Sequence, residues 1–131
     1  MSKPKSKKRL TVTDFSKMKS KGEKITMLTA YDHATATMLD EAGVDMLLVG
    51  DSLAMVVQGH ENTIPVSLEE MIYHGEMVAR ASRRSFVVVD IPFPVNHHGV
   101  HEAVKAAGEI MKKVRHGQPI RGPARSRVHS G

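Results

Sequence analysis

Three short apolar runs divide the chain: "KITMLTA" (24–30), "VDMLLVG" (44–50) and "SFVVVDIP" (85–92). The first reads as a strand bounded by Gly22 and the polar "YDH". The second is almost continuously apolar and does not alternate, which predicts a strand buried on both faces, as in a parallel sheet. The third is rich in β-branched residues and stopped by Pro92, a third buried strand. Between and around these runs the period changes to that of a helix. Residues 13–21 form a short helical segment with Thr13 as its N-cap. Residues 32–42 place Ala34, Met38, Leu39 and Ala42 on one face and stop at Gly43, a residue suited to the C′ position. Ser67-Leu68-Glu69-Glu70 is a capping-box pattern, opening a helix with Leu68, Met71, Ile72, Val78 and Ala79 at helical spacing. The clearest helical stripe comes last: Val100, Ala103, Val104, Ala107, Ile110, Met111 and Val114.

The resulting order is β-α-β-α-β-α with short connections, which predicts an α/β fold with parallel strands. In such sheets and barrels, ligands bind beyond the C-terminal ends of the strands. Three segments follow from the same pattern. Residues 1–23 hold a basic tail and the short first helix, and 24–114 carry the βα units. Residues 115–131, "RHGQPIRGPARSRVHSG", turn abruptly to Gly, Pro, Arg and Ser where another strand is due. Pro119, Pro123 and the scarcity of apolar residues leave nothing there to pair and bury, so this tail is expected to be disordered.

Composition narrows the class. A chain of 131 residues can bury one core. It has no cysteine, which excludes disulfides and thiolate metal sites and suits a reducing compartment. The longest apolar runs are too short to span a bilayer, and no apolar stretch follows the basic N-terminus as in a secretory signal. The expected location is the cytoplasm. The net charge of +5 first suggests nucleic acid. Five of the cations, however, fall in residues 1–10 and four in 115–131, with no acid in either, so the body between them is four charges negative. With no Trp and only five Phe or Tyr, the chain has no aromatic platform for bases. The composition favours solvated basic tails over a nucleic-acid partner.

The candidate chemistry sits where the apolar runs end. Asp51 and Asp90 each emerge at the C-terminal end of a predicted parallel strand. On neighbouring strands they converge at one edge, where two carboxylates suit a hard cation such as Mg²⁺, which takes oxygen ligands. Ser52 can then offer its hydroxyl to a substrate carboxylate beside the metal. The same residues also serve as ordinary turn and cap residues after strands, and that alternative stays open. His97, His98 and His101 have the spacing of a second metal site, but they precede a helix and lack a remaining ligand set, so a plain loop role is preferred. The polar loop "QGHENTIPVS" (58–67) is long enough to reach over a strand-end site or simply to lead into the next helix. His60 alone says little.

Taken together, "TAYD" (29–32), "VGDSL" (49–53), "VQGHENTIPVS" (57–67) and "VVDIPF" (88–93) resemble the ketopantoate hydroxymethyltransferase family, in order and spacing, from about Lys24 to Val114. The resemblance implies that the chain is the N-terminal part, about three βα units, of a (β/α)₈ TIM-type barrel, truncated. It also implies a Mg²⁺-dependent enzyme that assembles as a homo-oligomer. Such an enzyme transfers a hydroxymethyl group from methylene-tetrahydrofolate to 3-methyl-2-oxobutanoate, giving 2-dehydropantoate. By motif position, Asp51 and Asp90 correspond to the metal-associated carboxylates, and Asp51, Ser52 and Asp90 to substrate-contacting residues. Barrels of this type run to about 250 residues. The family's next strand carries "K-x-E-G-G" and its general base, a Glu, lies further on. Residues 115–131 contain neither Lys nor acid, so no catalytic base is assigned in this chain. The tail is read as a shifted reading frame or a truncated gene joined to unrelated sequence. Two further readings stand beside the leading one: a non-catalytic fragment of that enzyme, and a related Mg²⁺-dependent barrel enzyme acting on 2-oxo acids.

Overall fold

A computed structural model describes residues 8–96 and 98–116. The first helix, α1 (Val12–Ser20), is capped by Thr11 rather than Thr13. Asp14 decides between them: the Thr11 side chain accepts from the Asp14 N–H at 3.3 Å while Asp14 Oδ2 accepts from the Thr11 N–H at 2.8 Å. Thr13 has Ser16 at the same offset, which offers no carboxylate for that reciprocal pair. The strand β1 (Met27–Thr29) leads into α2 (His33–Glu41), whose N-cap is Asp32 and which is followed by Gly43 at φ 91°. Next come β2 (Met46–Val49) and a one-turn helix, α3 (Leu53–Val56). The helix α4 (Leu68–Ala81) opens with the expected Ser67–Glu70 capping box. After β3 (Phe86–Val89) and a second one-turn helix, α5 (Phe93–Asn96), the long helix α6 (Val100–His116) closes the described part. It ends two residues beyond Val114; the rest of the expected tail, from 117 onward, lies outside the described residues.

The three strands form one parallel sheet in the order β1-β2-β3, with Met27 opposite Met46 and Met46 opposite Phe86. The predicted βα alternation is therefore present, with α3 and α5 inserted after β2 and β3. The expected burial of the strands on both faces is not. Leu47 and Val49 are fully buried, yet Met46 and Leu48, which alternate with them, are only half-buried, β3 is half-buried throughout and β1 is exposed. The reason is architectural. The helices α2, α4 and α6 supply a layer to one side, while among the described residues the edge strands β1 and β3 have β2 as their one neighbour.

The core joins Leu47, Val49, Leu53, Ala54, Val66, Met71 and Val78, with Ile72, Ala79, Ile110 and Val114 forming a second cluster between α4 and α6. Gly75 permits that second contact. A Cβ at this position lies 2.9 Å from Val114 Cγ2 and 3.1 Å from Val89 Cγ2. Two helical faces differ from expectation. On α6 the buried line is Ala106, Ile110 and Val114, whereas Val100 and Val104 are exposed because α6 meets α4 through its C-terminal half. On α2 the buried residues are Ala36 and Asp40, with Leu39 half-buried, while Ala34, Met38 and Ala42 face outward.

Asp40 turns inward because it is a ligand for backbone. Its carboxylate accepts from the N–H groups of Arg83, Arg84 and Ser85 at 3.1, 3.0 and 2.7 Å. Burial, the largest single influence, pushes its pKa up, but these three donors together hold it below the ordinary value. Beside it, Arg84 Nη2 donates to Asp45 Oδ1 at 2.9 Å and Nη1 to the Gly43 carbonyl at 3.2 Å. Asp45 Oδ2 accepts from the Thr26 N–H and hydroxyl at 3.0 and 3.1 Å. Ser85 Oγ donates to Val44 O, and Arg9 reaches Ser82 O at 2.8 Å. This buried polar cluster lies at the N-terminal ends of the strands. The segment entering α1 closes over it, with the Leu10 N–H on Arg84 O and the Phe15 ring edge-on to Phe86 at 5.5 Å.

Candidate functional site

The opposite end of the sheet gathers the residues singled out by sequence. Beyond the last ladder residues the parallel pairing continues for one step: the Ala30 N–H donates to Leu48 O and the Asp90 N–H to Val49 O, each at 3.0 Å. These bonds set Tyr31, Gly50, Asp51, Ser52 and Asp90 side by side at the C-terminal edge, as expected of parallel strands of equal register. Asp51 and Asp90 are brought together directly, because the Asp51 N–H donates to Asp90 Oδ2 at 3.0 Å. Gly50 provides the room. A Cβ built there lies 3.4 Å from Asp90 Oδ2 and 3.5 Å from Ser52 Oγ, so both polar atoms border the same small niche.

Electrostatics in this niche favour a cation. Burial first, and the neighbouring Asp90 charge second, raise the Asp51 pKa above its ordinary value, with its own backbone N–H offsetting part of the rise. Two half-buried carboxylates sharing an edge repel each other, and a bound cation relieves that repulsion. The donor set is all oxygen, the kind that Mg²⁺ accepts from one or two carboxylates with water and substrate oxygens filling the remaining positions. Among the described residues no third Asp, Glu or His completes a larger metal-holding group. The residues present therefore fit an ion bound largely through water and ligand. His98 and His101 join no such group either, and His97 lies outside the described residues.

Ser52 occupies the N-cap position of α3, yet its side chain makes no cap hydrogen bond. Its hydroxyl instead pairs with the Tyr31 phenol at 2.6 Å. Tyr31 is in turn held by α4, whose His74 places Nδ1 2.6 Å from the Tyr31 carbonyl. Neither Tyr31 nor His74 was a sequence-predicted site residue. Tyr31 lies two residues past the end of β1, a position at which its exposure to the site follows from the topology. His74 carries no signal in a helix read for its apolar face. The 58–67 loop is tied to its own neighbours: the His60 N–H donates to Ala54 O at 2.8 Å, Val66 is buried in the core, and the Ser67 N–H donates to Glu70 Oε1. Among the described residues no helix is long and apolar enough to cross a membrane.

Comparison with known proteins gives the chain a family. Residues 9–118 match the family model described as ketopantoate hydroxymethyltransferase. A 3-methyl-2-oxobutanoate hydroxymethyltransferase of Rhodopirellula baltica is 51% identical over 109 residues, covering 83% of this chain and 40% of that protein. The enzyme of the same name from Desulforapulum autotrophicum is 50% identical over 105 residues, 80% of this chain and 40% of its own length. That of Neisseria gonorrhoeae is 51% identical over 102 residues, 78% and 39% respectively. The chain thus spans about two fifths of the length of the curated relatives it matches. It belongs to the ketopantoate hydroxymethyltransferase family.

Proposed function

We propose that the strand-end edge is the metal and 2-oxo acid site of a ketopantoate hydroxymethyltransferase, and that the three βα units are part of an eight-unit barrel. The reaction is transfer of a hydroxymethyl group from methylene-tetrahydrofolate to 3-methyl-2-oxobutanoate, giving 2-dehydropantoate. The observation that carries this reading is the convergence of Asp51 and Asp90 on one niche with the Ser52 hydroxyl at its border. The cysteine-free composition suits a cytoplasmic location, and the family resemblance implies a homo-oligomer.

Asp51 and Asp90 are the residues that would hold Mg²⁺. When bound, the ion supplies Lewis-acid polarisation of the ketone and neutralises charge that develops on its oxygen. Asp90 is oriented for this by the Asp51 N–H, which fixes Oδ2 and leaves Oδ1 for a ligand. Ser52 donates to the carboxylate of the oxo acid and so sets which side of the ketone faces the folate-borne carbon. Gly50 keeps the space beside both free of a side chain. Removal of the proton next to the ketone falls to a general base supplied from outside residues 1–131, so binding, not turnover, is the decisive assay for this chain. Calorimetric titration of 3-methyl-2-oxobutanoate with and without Mg²⁺ tests the reading. Uptake that requires Mg²⁺ and disappears in Asp51→Asn and Asp90→Asn supports it; metal-independent uptake retained in both variants rejects it.

A further inference from the structure

We infer that Tyr31 and His74 form a positioning device that sets the direction of the Ser52 hydroxyl at the strand-end site. The inference rests on the reading of that site as a 2-oxo acid site. A serine hydroxyl rotates freely unless a partner fixes it, and it both donates and accepts. In this chain α3 leaves Ser52 unfixed, since the N-cap side chain makes no cap bond. The phenol of Tyr31, 2.6 Å away, is its partner, and between two hydroxyls only one proton lies on the line joining them. The phenol is the more acidic of the two and donates. Ser52 Oγ is thereby engaged as an acceptor, and its own proton turns away from Tyr31 toward the niche bordered by Asp90 and Gly50, where a carboxylate ligand would receive it.

The phenol can impose this direction only if its own backbone is fixed, and three bonds fix it. On one side the Ala30 N–H is held by Leu48 O, and on the other Asp32 Oδ1 caps α2 by accepting from the Thr35 N–H at 2.7 Å. Between them, the Tyr31 carbonyl meets His74 Nδ1 at 2.6 Å. A carbonyl oxygen accepts and never donates, so Nδ1 carries the proton and the His74 tautomer is assigned by this contact. The imidazole is half-buried and stands edge-on to the Tyr73 ring at 5.3 Å, on a helix packed against α2, β3 and α6. Neither residue need touch the ligand; both act through Ser52.

Two readouts test the device. The chain has two tyrosines and no tryptophan, so Tyr73→Phe leaves Tyr31 as the sole tyrosine. In a ring-¹³C-labelled Tyr73→Phe chain, the phenol carbon resonance of Tyr31 is expected to move in Ser52→Ala and in His74→Ala, and to return in His74→Asn, whose amide N–H stands where Nδ1–H was. Binding is the second readout. With Mg²⁺ in excess, Tyr31→Phe weakens 3-methyl-2-oxobutanoate by about fivefold to tenfold, the loss of one hydrogen bond. In the Ser52→Ala background the same change costs less than about twofold, and affinity for Mg²⁺ alone is unchanged. Equal losses in both backgrounds, a parallel loss of Mg²⁺ affinity, or an unmoved resonance overturns the inference. A wild-type chain that binds Mg²⁺ but no oxo acid overturns the role assigned to the pair. One that binds neither overturns the reading of the site itself, and the resonance alone then decides whether the pair is held.

Discussion

Gly50→Ala separates the niche from the fold better than any change to a carboxylate. Gly50 is buried, yet its backbone has no positive φ, so an alanine meets no conformational penalty. The new methyl lies at 3.4 Å from Asp90 Oδ2 and at 3.5 Å from both Ser52 Oγ and Leu48 Cδ2, all ordinary van der Waals distances. Packing therefore tolerates it, and the stiffer unfolded chain contributes about 0.4–1 kcal/mol in favour of folding. The ligand site does not tolerate it. The methyl fills the space bordered by Asp90 Oδ2 and Ser52 Oγ, which closes this approach to the Ser52 hydroxyl and leaves Asp90 Oδ1 open. Losing a hydrogen bond there costs about 1–2 kcal/mol, roughly fivefold to thirtyfold in affinity. Urea unfolding monitored by circular dichroism should show an unchanged or higher midpoint at constant slope, while calorimetry in the presence of Mg²⁺ shows weakened binding of the oxo acid. A lower midpoint would refute the packing argument. Wild-type affinity in a stable Gly50→Ala chain would refute the placement of the ligand.

Four other perturbations address the rest of the structure. Gly75→Ala sets a methyl 2.9 Å from Val114 and 3.1 Å from Val89, whose branched side chains have little freedom to yield. It should destabilise by about 1–2 kcal/mol in urea despite the better helix propensity of alanine. Arg84→Met leaves Asp45 buried with Thr26 in place of a full ion pair, and the unfolding midpoint should report a loss of about 3 kcal/mol. Asp40, whose folded pKa is lowered, contributes stability that is fully present above the ordinary carboxylate value and is lost as pH falls through the lowered one. Asp40→Asn should therefore flatten the acid limb of stability against pH, and an unchanged limb would show that the three backbone bonds do not depend on charge. Asp51 has the opposite sign. Its raised pKa keeps the carboxyl protonated above the ordinary range, so Mg²⁺ affinity should begin to fall on acidification at a higher pH than for an unperturbed carboxylate.

The sheet and the convergence of its candidate site residues were legible because both are written in local pattern. Three apolar runs stop at polar residues, and a parallel arrangement then brings Asp51 and Asp90 to one side without further information. The Ser67 capping box was equally local. What could not be read depends on partners distant in sequence. Asp45 sits inside the apolar run 44–50, and Arg83-Arg84 resembles a solvated turn; only the fold shows that Arg84 and Asp45, 39 residues apart, form a buried pair. Asp40 falls outside the expected apolar face of α2 because its inward turn is driven by three N–H groups more than 40 residues away. Burial on both faces of the strands failed for a related reason. Apolarity records a residue's preference for cover, and the exposed Met27, Leu28 and half-buried β3 lack a covering layer on that side among the described residues.

The two ends of the sheet divide polar chemistry by how completely it is satisfied. At the N-terminal end, Asp40 has three backbone donors, Asp45 has Thr26 and Arg84, and the Ser82 and Ser85 hydroxyls each donate to a carbonyl. Little hydrogen-bonding capacity is left for a ligand, and the Leu10–Arg84 bond and the Phe15–Phe86 contact tie the segment entering α1 to this end. Such a cluster stabilises and aligns strands, which is what that end of a βα sheet is free to do. At the C-terminal end the accounts are left open. Asp90 keeps one oxygen oriented and one available, Asp51 is destabilised as an anion by burial and by Asp90, and, among the described residues, Ser52 is bonded through its hydroxyl to the Tyr31 phenol alone. A fold does not gain stability from a half-buried carboxylate such as Asp51, raised by burial and by the neighbouring Asp90 charge. Their juxtaposition is a cost that a bound cation would offset, and it falls at the end of the strands where loops, not core, determine what can approach.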